Sequence, residues 1–370
     1  MAGLNWLING WGTWLAFKQF TSKVRLIPDD DLPSVSILKP LKGVDPGLHE
    51  NLESCFHVNY PRFEILFSVS SPNDPAALLI QPLLEKYPNV NAKLIISNQE
   101  VGPNPKVNNL LASYKLATHD VVLISDSNIR VSPDYLRNLV PDLTPDVGVI
   151  TAVVAGTHPN GLGGYLEASY LNTFFARWMF LARVFSFESV VGKSMLFKRS
   201  TLERFGGLKT LSGYIAEDYM TGHAMKKLDL KVEIMRSPVR QYLGHYSFSS
   251  FWKRHIRWGR IRKSIAPLAF IIEPLFFSSV TSLFFALAIS QWFGFHFGLA
   301  WTIHMTAWWI MDSFLCSLID QFSWKLILAW WVREVIAIPI WLAILLGNTV
   351  DWRGKDYRLL PGGLLEGIAK

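Results

Sequence analysis

Cysteine is nearly missing from this chain of 370 residues: only Cys55 and Cys316 occur, far apart in sequence. Two such residues make neither a disulfide framework nor a zinc-ligand pattern, and they suit a reducing, cytosol-facing compartment. Internal repeats of roughly 20–50 residues and low-complexity tracts are absent, which excludes solenoids and propellers. Acid is scarcer than base, 29 Asp and Glu against 36 Lys and Arg, a net charge of +7. That excess suits anionic partners such as phospholipid surfaces, nucleotides or nucleic acid. No zinc, RNP or helix-turn-helix pattern accompanies the charge, so no nucleic-acid partner is expected. The amino terminus lacks a basic n-region and an A-x-A-like cleavage site, so it does not read as a signal peptide. Its uncharged run, residues 4–17, falls short of the roughly 20 residues of a spanning helix. It reads as an interfacial helix with Trp6, Trp11 and Trp14 at headgroup depth, or as the remnant of a longer anchor.

What is abundant is apolar. Half the residues are hydrophobic, with 15 Trp and 24 Phe, a composition expected near membrane interfaces. The chain divides into two halves with different physics. From residue 33 to about 239, short β-branched runs alternate with amphipathic segments: VSILKPL (35–41), FEILFSV (63–69), AKLIIS (92–97) and DVVLISD (120–126) read as strands, with helical spacing between them. Alternation at this spacing predicts βαβ units and a mostly parallel sheet. Ligands of such sheets bind beyond the carboxyl ends of the strands, which points to Lys39, residues 70–74 and Asp126. From about residue 267 the runs 268–289, 292–311 and 326–346 are long and apolar, predicting two or three transmembrane or re-entrant helices. Glu273 and the Arg333–Glu334 pair inside them should face protein or water.

Four constellations carry chemistry. In ISDSNIR (124–130) an apolar strand runs into Asp126-Ser127-Asn128; an acid there can hold a divalent cation and, through it, a diphosphate, although the same residues favour a plain turn. In SPND (71–74) Asp74 precedes Pro75, which suits a helix cap or a ribose or uracil contact. In YIAEDYMTGHAMKK (214–227), Glu217 and Asp218 begin a helix among apolar residues. They either complement the helix dipole or supply a general base whose pKa is raised by burial. In RHIRWGRIRK (254–263), Arg254 shares a helix face with Arg257 or Trp258, while Arg260, Arg262 and Lys263 are read as facing anionic headgroups. Arginine forks bind phosphate, and a tryptophan beside them lines an apolar channel. The aromatic stretch 165–185 reads as a helix touching membrane or acceptor, or as ordinary core. His223 and His245 read as structural.

The order of these motifs resembles the D, D, D, (Q/R)xxRW signature of inverting glycosyltransferases of families 2 and 21. Residues 39–56, 101–110, 126–136, 214–219 and 351–359 are similar to the ceramide glucosyltransferases in particular, and the resemblance runs from about residue 33 to 363. It implies an α/β GT-A fold, a Rossmann-like nucleotide-diphospho-sugar transferase domain, followed by carboxyl-terminal membrane helices. The expected organisation is a hydrophobic membrane-associated amino terminus (1–24), the GT-A domain (33–245), an interfacial segment with the RxxRW box (246–266), two or three membrane helices (267–350) and a polar tail (351–370). The resemblance further implies transfer of glucose from UDP-glucose to the primary hydroxyl of ceramide, with Mg²⁺ or Mn²⁺, by an integral membrane protein. Its catalytic domain would face the cytoplasm, at a Golgi membrane in a eukaryote or an inner membrane in a bacterium. Residue by residue, Asp74 would contact uridine, Asp126 would hold the metal with Asn128 beside it, and Asp218 would be the base. Arg254, Arg257 and Trp258 would stabilise leaving UDP, and Lys39 and Lys106 would touch phosphate or uridine. The chain departs from the family's pattern in carrying Asn128 where a second acid is common, and Arg254 where chain-extending relatives carry Gln. The alternative acceptor is another lipid, a hopanoid polyol or diacylglycerol, with UDP-N-acetylglucosamine as a further possible donor. A processive synthase and a non-catalytic scaffold fit less well, given the short membrane region and the intact acids.

Overall fold

The computed structural model describes residues 2–368 apart from 186, 188, 321 and 353. The chain forms two units, one from residues 21–154 and 182–242, the other from 1–20, 155–181 and 243–370.

The first unit is built on a seven-stranded sheet. Its strands are Val35–Pro40 (β1), Phe63–Val69 (β2), Ala92–Ile96 (β3), Val121–Ser125 (β4), Val147–Thr151 (β5), Ser194–Lys198 (β6) and Lys231–Ile234 (β7), in the order β3-β2-β1-β4-β6-β5-β7. β1 to β4 pair in parallel, and β6 lies antiparallel between β4 and β5. The βαβ prediction is therefore met over the first four strands, with helices Leu48–Phe56, Ala77–Lys86 and Pro105–Leu116 as crossovers. β1, β4 and β5 are almost wholly buried, which is why each reads as a continuous apolar run rather than an alternating one. Leu38, Leu66, Val122, Ile124 and Phe197 join helix residues Val107 and Leu110 in one core. β1 connects onward to one side through β2, whereas β4 lies on its other side. The carboxyl ends of β1 and β4 thus flank a topological switch point, where a crevice opens in such sheets.

The second unit is mainly helical, and its first helix turns polar residues inward and apolar ones outward. Helix Ala2–Thr21 is longer than the uncharged run that suggested it, and it buries Asn5, Asn9, Gly12, Thr13 and Ala16. Leu4, Leu7, Trp11, Trp14 and Phe17 point outward. Asn5 donates to the Leu275 carbonyl (2.9 Å) and to Thr281 Oγ1 (2.5 Å), and Trp6 Nε1 to His304 Nε2 (2.8 Å). Gly12 permits the close approach: a Cβ there would lie 2.7 Å from Arg177 Cγ.

The first of the three apolar runs is broken. Helix Pro267–Ile272 and the 3₁₀ turn Glu273–Phe276 bend by 54° into helix Ser278–Phe293. Pro274, which cannot donate to the ladder, stands inside that turn. The second run begins later than expected, as helix Phe297–Ile319, and the third is helix Trp324–Leu345. Among the described residues, Trp324–Leu345 is by itself long and apolar enough to cross a membrane, and the bent pair would add a second if it forms one span.

Asp312, Arg333 and Glu334 on these helices face protein. Arg333 and Glu334 are buried and paired at 2.5 Å; Arg333 Nη1 also donates to the Ser169 carbonyl (2.9 Å) and to Thr173 Oγ1 (2.5 Å). Asp312 accepts from Arg177 Nη1 and Trp330 Nε1, each at 2.5 Å. Glu273 pairs with Arg262 at 2.9 Å.

Candidate active site

At the switch point the chain leaves β4 into Asp126, whose backbone N–H donates to the Lys193 carbonyl (3.3 Å). Lys193 immediately precedes β6, and the register Ser125 opposite Ser194 brings it to the end of β4. Its Nζ lies 3.0 Å from Asp126 Oδ2 and donates to Asn128 Oδ1 (2.8 Å). From the other side comes Lys106, in the first turn of helix Pro105–Leu116. Asn104 caps that helix, its Oδ1 accepting from Lys106 N (2.8 Å) and Val107 N (3.0 Å). An Asn cap followed by Pro at the first helical position is a strong start signal, and it fixes where Lys106 stands. Lys106 Nζ bridges Asp126 Oδ1 (2.8 Å) and Glu217 Oε1 (2.7 Å).

Glu217 and Asp218 open helix Glu217–Lys227. Asp218 Oδ2 accepts from Gly192 N (2.7 Å) and Oδ1 from Tyr219 N (2.8 Å). Gly192 lies at the centre of the group: a Cβ there would be 2.8 Å from Lys106 Nζ, 3.1 Å from Asp218 Oδ2 and 3.3 Å from Glu217 Oε1. Only a residue without a side chain leaves that space open.

The electrostatics differ from one acid to the next. Burial opposes the charge of Asp126, but Lys106 and Lys193 outweigh it and hold its carboxyl well below the usual range. Burial likewise opposes the charge of Lys106, and Asp126, Glu217 and Asp218 more than compensate, pushing its pKa up. Asp218 goes the other way. Burial, then the neighbouring Glu217 charge, push its pKa up to about 6, against the opposing pull of Lys106. Two carboxylates in one site with separated pKa values are the arrangement that divides acid and base tasks.

Of the residues singled out from sequence, Asp126, Asn128, Lys106 and Asp218 meet here. Lys39 lies beneath them, fully buried in β1, its Nζ donating to Ser125 Oγ (3.2 Å) and the carbonyls of Asp126 (2.9 Å) and Ile129 (3.4 Å). It braces the Asp126 turn from within, and a phosphate contact by Lys39 would require breaking those bonds. Asp74 stands past the end of β2, where its Oδ1 accepts from Gly43 N and Ala76 N, both at 2.9 Å. It thereby caps the turn after Ser71 and ties it to the Gly43 turn, whose φ of +67° favours glycine.

Arg254, Arg257 and Trp258 belong to the helical unit, on helix Phe248–Ile265. The Arg254 guanidinium lies 4.2 Å from the Trp258 ring centroid, a cation–π contact. Arg254 Nε is 3.1 Å from Glu167 Oε1, an ion pair without hydrogen-bond alignment, and His255 Nε2 is 2.9 Å from Glu167 Oε2. Burial pushes the His255 pKa down, against the pull of Glu167. The remaining basic residues, expected to face headgroups, also make contacts within the unit. Arg260 Nη1 donates to the Thr349 carbonyl (2.6 Å), Arg262 pairs with Glu273, and Lys263 Nζ reaches the carbonyls of Ile344 (3.0 Å), Leu345 (3.1 Å) and Gly347 (2.5 Å). Lys263 thus caps the end of helix Trp324–Leu345, where carbonyls lack intrahelical partners.

Sequence reasoning missed Lys193, Gly192 and Glu167. The sequence GKSMLF does place a lysine just before an apolar strand, but the antiparallel pairing of that strand with β4 has no local sign. Glu167 sat in a stretch read as aromatic, and its partners lie over 80 positions away.

The donor set is oxygen, which suits a hard cation such as Mg²⁺ or Mn²⁺. Among the described residues no three His, Cys, Asp or Glu side chains converge as metal ligands. The protein's share would be Asp126, the rest coming from phosphate and water, a common arrangement for Mg²⁺.

Solved structures place the fold. The mannosyltransferase PcManGT from Pyrobaculum calidifontis, in complex with GDP-Man and Mn²⁺, superposes with a TM-score of 0.51 at 17% identity, over 92% of this chain and 94% of that one. Among curated proteins, ceramide glucosyltransferase 3 of Caenorhabditis elegans is 30% identical over 94% of this chain and 78% of its own length. The ceramide glucosyltransferase of Candida albicans is 26% identical over 88% and 86%. Residues 5–365 match Glycosyl transferase family 21, so the chain belongs to that family and is a glycosyltransferase of GT-A fold.

Proposed function

We propose that the protein is an inverting membrane glycosyltransferase that moves glucose from UDP-glucose to the primary hydroxyl of ceramide, giving glucosylceramide and UDP. The observation that carries the reaction is Asp218, a carboxyl with a pKa near 6 held in orientation by two backbone N–H groups beside Lys106 and Glu217. Inversion is a single displacement: the acceptor oxygen bonds to C1 as the bond from C1 to the diphosphate breaks, and Asp218 takes the hydroxyl proton. One base suffices and no covalent nucleophile is needed. The charge released falls on the UDP oxygens. Lys106 and Lys193 carry positive charge to that place, and Arg254 and Arg257 would add theirs, with Trp258 shaping the acceptor end. A divalent cation held by Asp126 would supply further positive charge to the diphosphate. Asp74 would meet the uridine. The lipid acceptor agrees with the outward apolar faces of the helical unit and with the family's ceramide glucosyltransferases, and the catalytic domain would face the cytoplasm.

The test is direct. Purified protein in detergent receives radiolabelled UDP-glucose, Mg²⁺ or Mn²⁺, and ceramide, diacylglycerol or a hopanoid polyol. Label on ceramide supports the reading. Label on another lipid alone assigns that acceptor, and label from UDP-N-acetylglucosamine instead of UDP-glucose changes the donor.

A further inference from the structure

Within the helical unit, helices Phe248–Ile265 and Trp324–Leu345 border a cavity of about 60 Å³. On the same measure a single water needs roughly 10–15 Å³, so the space exceeds one water. From helix Trp324–Leu345 come Arg333, Glu334, Ala337, Ile340, Trp341 and Ile344, spaced as one helical face. Phe251, His255 and Arg262 of the RxxRW helix form another wall. Glu273 and Phe277 enter from the 54° bend. Tyr170 and Phe174 come from the stretch 165–185, whose helix is interrupted by a π-helical segment at Leu171–Phe175. Such segments occur most often where a helix is reshaped for function. The aromatic wall continues from the cavity to the box, because the Tyr170 ring lies 4.5 Å from His255 and 6.4 Å from Trp258.

The charge of the lining decides what fits. Its ionised groups form two pairs, Arg262 with Glu273 at 2.9 Å and Arg333 with Glu334 at 2.5 Å. Each cation is matched within the wall. The Arg333–Glu334 pair is buried, so an anionic ligand that broke it would cost several kcal/mol, on the order of 3–5; the Arg262–Glu273 pair is partly exposed and leaves no unmatched cation to attract one. An uncharged amide or hydroxyl meets no such penalty. The Arg333–Glu334 pair is already engaged by Ser169, Thr173, Asp312 and Ser278, so the polar partner on offer is the Arg262–Glu273 pair, joined through Arg262 Nη2 and Glu273 Oε1. Aromatic and aliphatic side chains between the pairs suit methylenes. The helices around the cavity point Leu283, Val335 and Leu342 outward.

We propose that this cavity holds the uncharged polar neck of the lipid acceptor, its amide and hydroxyl groups against the Arg262–Glu273 pair and its first methylenes against Phe174, Phe277 and Trp341. The proposal rests on the acceptor being a lipid, and it adds selection against anionic lipids by wall charges that are already matched.

Full-length protein in nanodiscs is irradiated with diazirine-bearing ceramide, diacylglycerol or phosphatidic acid, with and without excess unlabelled ceramide, and the labelled peptides are mapped. Ceramide label that is competed by unlabelled ceramide is expected on peptides holding Tyr170–Phe174 and Arg333–Ile344, with at least fivefold less from phosphatidic acid. Ala337→Phe should reduce that label at least fivefold and raise the acceptor KM similarly, while UDP affinity, read on the other unit, is unchanged. Equal labelling by phosphatidic acid, undiminished label in the variant, or label only on other peptides overturns the proposal. Should Ala337→Phe lose UDP binding through misfolding, the wild-type map decides alone. Competed ceramide label without any glucose transfer would instead sink the glucosyltransfer reading and leave the cavity assignment standing.

Discussion

Asp218 and Asp126 lie within reach of the same lysine yet are driven in opposite directions, and this contrast gives the reaction its pH dependence. Asp218 works as a base only when ionised. With its pKa near 6, kcat/KM is expected to fall tenfold per unit below about pH 6 and to level above it, as a pH–rate profile at saturating metal would show. Asp218→Asn should lower kcat by roughly 10²–10⁴-fold and leave UDP-glucose affinity by calorimetry within a few fold; full activity would remove Asp218 as base. The same shift has a stability consequence. A raised folded-state pKa favours folding at low pH, and that contribution is lost as pH rises from about 3.8 through about 6. At pH 7.5 the Asn variant should therefore melt at or above the wild-type temperature, which separates loss of chemistry from loss of fold. Gly192→Ala tests the surroundings. Its Cβ would stand 2.8 Å from Lys106 Nζ, which is held between Asp126 and Glu217. Lys106 can give way only by loosening those ion pairs, so the variant should melt lower than wild type, with the donor KM rising several fold, roughly a 1 kcal/mol effect. These residues also mark how far the sequence could be read. Asp126 and Asp218 were legible because each adjoins a local pattern, a strand end or an apolar helix start. Lys193 was not, because its neighbours come from strand pairing.

The elements were legible to different degrees for physical reasons. β1, β2 and β4 follow from runs buried on both faces, which need no partner to be recognised, and β3, the partly exposed edge strand, from its apolar run between turn residues. The antiparallel insertion of β6 depends on long-range register and left no period in the chain. The RxxRW helix was legible as a helix, but the fate of its charges was not. Arg260, Arg262 and Lys263 meet carbonyls and an acid 11 to 89 positions away. Glu167 is the clearest case. It is fully buried between Arg254 and His255, and removing one partner of a buried charge group leaves the others unpaired. Glu167→Ala should destabilise the helical unit by about 3–5 kcal/mol, seen as a lower melting temperature in detergent. Glu167→Gln keeps the shape, so it should melt higher than the Ala variant while kcat still falls, because Arg254 loses the anion beside it. Equal melting of wild type and both variants would mean that Glu167 does not hold the box.

At the scale of the whole chain, the decisive feature is which side chains each helix of the helical unit turns outward. In a water-soluble protein the amino-terminal helix would bury Leu4, Leu7 and Trp14 and expose Asn5, Asn9 and Thr13; here the reverse holds. Helix Trp324–Leu345 does the same, exposing Leu328, Val335 and Leu342 while burying Arg333 and Glu334. Such an arrangement favours apolar surroundings, since in water each exposed leucine would forgo roughly 1.5–3 kcal/mol of burial. The polar residues that interrupt the hydropathy of the first helix are the ones that face protein. The arrangement makes a signed prediction. Val335→Arg places a charge on the outward face, about midway along the helix, and should cost about 2.5–3.5 kcal/mol of insertion free energy. Lys325→Arg, near the helix end, keeps the charge at a position where a long side chain can reach the interface. In membranes from expressing cells, Val335→Arg should leave much of the protein extractable by alkaline carbonate, whereas Lys325→Arg should stay in the pellet with wild type. If Val335→Arg also stays fully membrane-bound with unchanged activity, that face does not meet the bilayer core, and helix Trp324–Leu345 is a core helix of the unit rather than a span.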